Sequence, residues 1–194
     1  MMDTSAFADP FAAEDVNSGV SIYFAVVFLP ITLHMALHAS ESWRAGWIFF
    51  ASPASSSRIV IATKNFVAVY FLGAYLLLVA AVWSVFYQRV WHALVHAMFV
   101  WLIAHLLLQC AVLVKPVLPF ASEPRRGERT GGLFLMFFGG GTLAAFIPFL
   151  MPAVYAHPPI AVAVFAFMVA ATAALEYALR LRIDEVVGDL EFRN

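Results

Sequence analysis

Five stretches of this sequence are apolar on every side, and the charges collect in the intervals between them: 20–39, 66–86, 90–114, 133–156 and 159–181. A hydrocarbon core of about 30 Å is crossed by about 20 residues of helix, and each stretch reaches that length. A helix that is apolar all round, rather than along one stripe, is surrounded by lipid or by other helices. The pattern predicts an all-α fold, a polytopic transmembrane helix bundle of five spans over residues 20–182. An acidic, flexible N-terminal segment (1–19) precedes it and a charged cytoplasmic tail (183–194) follows, with Ile183, Val186, Val187 and Leu190 at roughly helical spacing.

Two spans carry further signals. Ser55, Ser56 and Ser57 offer N-caps for a helix starting near Arg58, so the second span is expected over 58–86. That helix is roughly 43 Å long at 1.5 Å per residue, which assigns Arg58, Lys64 and Asn65 to the membrane interface or to a tilt. The fourth span holds Gly139, Gly140 and Gly141, then Pro148 and Pro152. Glycines let helices approach closely and prolines bend them.

The interval between the first two spans is neither apolar enough to cross a bilayer nor polar enough to be a plain linker. Trp43, Trp47 and Phe50 fall at i, i+4 and i+7, with Glu41 and Arg44 off that face. An interfacial amphipathic helix is therefore expected near residues 41–52, its aromatic rings at headgroup level, ended by Pro53. Cations set its side of the membrane. Arg44, Arg58 and Lys64 lie in the first interval, and Lys115, Arg125, Arg126 and Arg129 in the third. Arg180 and Arg182 stand at the end of the last span, whereas the N-terminal segment has no Lys or Arg. Retention of Lys and Arg in the cytoplasm predicts an N-terminus outside and a C-terminus inside.

Composition narrows the function. Hydrophobic residues make up 63% and charged residues 12%, far from the balance of a soluble domain. The net charge of −1 gives no cationic surface for nucleic acid. Cys110 is the one cysteine, so no internal disulfide or cysteine metal cluster exists, and its apolar setting marks it as buried filler. No glycine-rich phosphate loop and no nucleophile with an adjacent base is present, so ATP hydrolysis within the chain is excluded and no enzymatic activity is expected.

The histidines are the obvious candidate ligands. His34 and His38 are four apart on span one, and His92 and His96 are four apart on span three with His105 further along. Such spacing suits metals and haem. The predicted topology sets the two pairs at opposite surfaces, and no second matched pair is available for stacked haems. A cluster of His92, His96 and His157 at the outer face has no carboxylate in either outer loop, so interfacial histidines are the simpler reading and no cofactor or metal is expected. Polar groups inside the bilayer mark a function or a helix contact. His105 and Gln109, four apart on one face of span three, form a candidate interhelical seam, and Glu176 is expected to pair with Arg180 at i+4.

Three runs carry a family resemblance: E-S-W-R-A-G-W-I-F-F-A-S-P from Glu41 to Pro53, H-A-L-V-H-A-M-F from His92 to Phe99, and L-P-F-A from Leu118 to Ala121. Over about half of the chain, it resembles a group of bacterial permease-like proteins that look like membrane subunits of ATP-binding-cassette exporters. The resemblance implies a bacterial inner-membrane location and a non-enzymatic permease-like role. It also implies a separate cytoplasmic ATPase as partner, together with further permease helices or a homo-oligomer. Members of the group are longer, so the chain looks like the C-terminal part of a permease. Trp43, Arg44, Trp47 and Phe50 are then the candidate coupling or interface helix. Two other readings stand beside it, a membrane redox or metal protein that uses the histidines and a structural membrane subunit or remnant without transport.

Overall fold

The computed structural model describes residues 9, 11, 20–38, 43–51, 55–114, 116, 118–120 and 130–186; these form helices and connections, with no strand among them. Helix α1 is Val20–His38. A 3-10 turn at Trp43–Gly46 leads into the short helix α2, Trp47–Ala51. Helix α3 (Ser56–Phe66), a π-helical turn (Val67–Gly73) and α4 (Ala74–Tyr87) run on as one rod, followed by α5 (Val90–Val114), α6 (Thr130–Tyr155) and α7 (Pro158–Val186).

Four of these helices are long and apolar enough to cross a membrane: Ser56–Tyr87, Val90–Val114, Phe138–Tyr155 and Pro158–Ile183. The apolar part of α1, Tyr23–Leu37, is shorter than such a span. The observed set is therefore four membrane-length helices and one shorter apolar helix. Ser55 stands at the N-cap of the rod in extended conformation, and its carbonyl accepts the Ile59 N–H at 3.2 Å. Its hydroxyl makes no cap bond; Ser57 Oγ donates to it instead. At the far end Gln88 takes a left-handed conformation, φ 53°, and turns the chain back into α5.

Helix α5 is the axis, packed against α1, α4 and α7, and α1 lies in turn against α6. Half of the apolar window of α5 is buried, against 6% in α7, although both are almost uniformly apolar. Composition alone thus does not distinguish the central helix from the outermost one. The glycine run of α6 explains one close approach. A side chain at Gly140 would meet Val27 and Phe28 at 3.1 and 3.3 Å, and one at Gly141 would meet Phe24 at 3.3 Å. Gly139 faces open space. Pro148 and Pro152 lie within α6 without ending it.

Several expectations need correction. The aromatic stretch is not one continuous amphipathic helix, because the tight turn at Trp43–Gly46 changes the pitch before Trp47. Lys64 is 1% exposed, enclosed between helices, a burial that its place in the sequence does not reveal. Cys110 is exposed on the surface of α5 rather than buried. Residues 183–186 extend α7, and Ile183 is buried against Val60 and Leu179. Residues 187–194, the arginines at 125, 126 and 129, Pro53, and most of 1–19 lie outside the described residues.

Candidate functional site

Two polar networks sit toward opposite ends of α5. The first joins three helices. Lys64 of α3 forms an ion pair with Glu176 of α7. Gln109 of α5, fully buried, donates from Nε2 to Glu176 Oε2 at 3.0 Å and to the Thr172 carbonyl at 3.2 Å. Arg180 Nε lies 3.5 Å from Glu176 Oε1. A buried ammonium is costly unless it is paired and hydrogen-bonded, and Glu176 supplies both conditions for Lys64. Sequence spacing pointed only to Arg180 as the partner of Glu176. Lys64 lies 112 residues away, and no local signal reports such a pair.

The predicted seam of His105 and Gln109 lies in this region, and its two members behave differently. Gln109 is bonded as above, though its Oε1 has no partner among the described residues. His105 is partly buried, with both ring nitrogens shielded and unpartnered among the described residues. Its ring packs against Trp101 at 5.0 Å between centroids, tilted by 47°. Trp101 in turn donates from Nε1 to the Ala68 carbonyl, inside the π-helical turn, at 3.2 Å. A π-turn leaves carbonyls out of the regular helical pattern, and here a neighbouring side chain uses one.

The second network is aromatic. His96, fully buried, lies 2.7 Å from Tyr23 Oη through Nε2 and 2.9 Å from Tyr155 Oη through Nδ1. A neutral imidazole has one N–H and one lone pair, so one tyrosine accepts and the other donates. Trp83 packs over the same imidazole at 4.6 Å between centroids, and Tyr87 stacks on Trp83. One helical turn outward, His92 Nδ1 meets Asp9 Oδ2 at 2.7 Å. Asp9 Oδ1 accepts the Phe11 N–H at 3.0 Å, and Phe11 stacks between His92 and Tyr155. The expectation of water-facing histidines is thus corrected at His96, while neither outer loop supplies a carboxylate. His96 is sealed between tyrosines, and the carboxylate at His92 comes from the N-terminal segment rather than from a loop.

The remaining candidates are on the segment 43–51. Arg44 is exposed, Trp47 is 58% exposed and Ile48 is 55% exposed. The side chains of Trp43 and Phe50 lie outside the described residues. Gly46 is wedged: a Cβ there would come within 2.5 Å of the Phe120 carbonyl. Phe120 donates its N–H to the Leu37 carbonyl at 2.7 Å, so the chain after α5 is fastened to the last turn of α1. Among the described residues no three His, Cys, Asp or Glu side chains are grouped to hold a metal ion. His34 is buried on α1, and His157 is exposed between α6 and α7.

The class these observations define is a helical bundle with four membrane-length helices, organised around one central helix with a polar network toward each end. No protein family, curated protein or solved structure matches the chain.

Proposed function

We propose that the chain is a permease-like subunit of a bacterial inner-membrane exporter, non-enzymatic itself and driven by a separate cytoplasmic ATPase. The observation that carries this reading is the braced segment 43–51, where Trp47 and Ile48 stand exposed on a short element seated against Phe120 at Gly46. Phe120 is bonded to Leu37. A force applied at Trp47 therefore reaches α1 and the chain leaving α5 together. Displacement of such an element is an ordinary way to move packed helices past one another.

In this reading α1 is the fifth span, the N-terminus is outside and the C-terminus is cytoplasmic. Arg44, Arg58, Lys64, Arg180 and Arg182 then share the cytoplasmic end, in keeping with the retention of Lys and Arg there. Gln109 and the Lys64–Glu176 pair hold α3, α5 and α7 in one arrangement. The exposed flank of α7 is available to lipid, further permease helices or a second copy.

The test is a mild-detergent pull-down of the full chain from its native membrane, read by mass spectrometry and absorbance. The expected result is an ATPase in the eluate and its loss on joint change of Trp47→Ala and Ile48→Ala. Undiminished recovery of the ATPase from that double variant removes the coupling role. A haem Soret band without an ATPase replaces the permease reading with a histidine-based redox one.

A further inference from the structure

Helices α5 and α6 both pack along α1, and among the described residues they meet little of each other directly. At the end where α5 begins and α6 finishes, the space between them is filled from elsewhere in the chain. Phe11 stacks on His92 of α5, 4.4 Å between centroids and 28° between planes, and on Tyr155 of α6, at 3.9 Å and 11°. The cleft is thus one aromatic ring wide. One turn deeper along α5, His96 is bonded to the same Tyr155.

The N-terminal segment presents ring and carboxylate together. Asp9 Oδ1 accepts the Phe11 N–H at 3.0 Å, the geometry of an Asx-turn. The residue between them in the sequence is Pro10, and an Asp-Pro pair favours turn initiation. Oδ2 of the same carboxylate lies 2.7 Å from His92 Nδ1. Both parts of the turn therefore rest on His92, the ring on its face and the carboxylate on its edge.

This hold is weaker than the one beneath it. The Asp9 and His92 side chains remain 12% and 23% exposed, and a pair with access to water is worth little more than one hydrogen bond. Ring stacking adds a similar amount. Together they favour the seated turn by on the order of a hundredfold, which leaves about one molecule in a hundred with it lifted. His96, by contrast, is held at both ring nitrogens by tyrosines of α1 and α6, so the walls of the cleft keep their places when Phe11 leaves.

We propose that the Asp9–Phe11 turn is a strap that opens and closes the cleft between α5 and α6 while the helices stay in place. With the strap lifted, the facing rings of His92 and Tyr155 stand open as a slot above His96; with it seated, the slot is shut. The device needs no ATPase and does not rest on the permease reading.

The experiment is fluorine NMR of the full chain in nanodiscs, with 4-fluorophenylalanine in place of Phe11 alone. The expected result is one ring-shifted line from the seated ring, with a second state at about one per cent detected by saturation transfer. Asp9→Asn keeps an acceptor for the turn and removes the charge, and it raises the second state about tenfold, to a visible line. A second measurement uses the chain without fluorine: in Phe11→Ala, diethylpyrocarbonate labels His92 about tenfold faster while His96 stays unlabelled. Helical circular dichroism shows that each variant is folded. A solvent-like line from all molecules means that the turn is not seated and overturns the proposal. So does a seated line that Asp9→Asn leaves unchanged, because the turn is then a fixed part of the fold. Labelling of His96 in Phe11→Ala overturns it as well, since the helices then part with the ring.

Discussion

The two polar networks of α5 are built on opposite principles. At His96 itself the contacts are aromatic and the imidazole is fully bonded: both ring nitrogens meet a tyrosine hydroxyl, and Trp83 packs on the ring, with the Asp9 carboxylate held one turn away by His92. Around Gln109 there are formal charges, long side chains and polar atoms, at His105 and at Gln109 Oε1, without partners among the described residues. A closed network fixes helices in one arrangement, because any movement opens bonds that nothing replaces. An incomplete one has bonding capacity to spare for a ligand or for a second arrangement. The difference assigns structure to the His96 end and change to the Glu176 end.

Four substitutions test that division, beginning with the largest effect. Lys64→Met leaves the Glu176 carboxylate without its main partner and lowers stability by about 3 kcal/mol, the usual cost of halving a buried pair. Adding Glu176→Gln to the same chain restores most of the loss. Thermal unfolding in detergent measures both, and an unaffected single variant would show that the pair has no part in holding α3 to α7. Next, His96→Leu strands two tyrosine hydroxyls and costs about 2 kcal/mol. Combining it with Tyr23→Phe and Tyr155→Phe recovers stability if the network is as closed as its geometry indicates. A triple variant less stable than His96→Leu alone contradicts this.

Gly46→Ala brings a methyl group to 2.5 Å from the Phe120 carbonyl, a backbone atom that cannot swing aside, and costs about 2 kcal/mol, within the range of overpacking strain. Faster proteolysis between α1 and α3, with the remainder of the bundle intact, is the expected sign that the brace has loosened. Smallest of all, His105→Leu changes stability by less than about 0.5 kcal/mol, since it gives up no bond to a described residue. A large loss there would mean that His105 is a structural residue like His96, and the contrast between the two ends would fail.

Much of the architecture is written in local sequence. The apolar run at 90–114 coincides with α5, and the serine cluster at 55–57 contains the residue at which the rod begins. Apolar periodicity and capping act over a few residues, and a linear reading has access to them. What it misses is long-range. Tyr23 and His96 are 73 residues apart, and a tyrosine inside an apolar run looks like any other large ring. Lys64 gives no local sign of its pairing, because its counter-charge lies 112 residues further along the chain. The π-helical turn has no mark in VAVYFLG beyond a final glycine. His105 and Gln109 could be picked out because polar groups in an apolar helix are conspicuous even without knowledge of their surroundings.

The π-helical turn has one further consequence, for the angular phase of the rod. A π-turn takes up about one residue more than an α-turn, and one residue corresponds to about 100° of rotation about a helix axis. Lys64 lies before that offset and Trp83 after it, so the offset sets how the two ends of one rod are rotated relative to each other. Deleting a single residue within Val67–Gly73 would therefore act like a twist: one end keeps its grip and the other is turned away from its partner. Cysteine cross-linking of each end to α5 would show which network holds the rod in place.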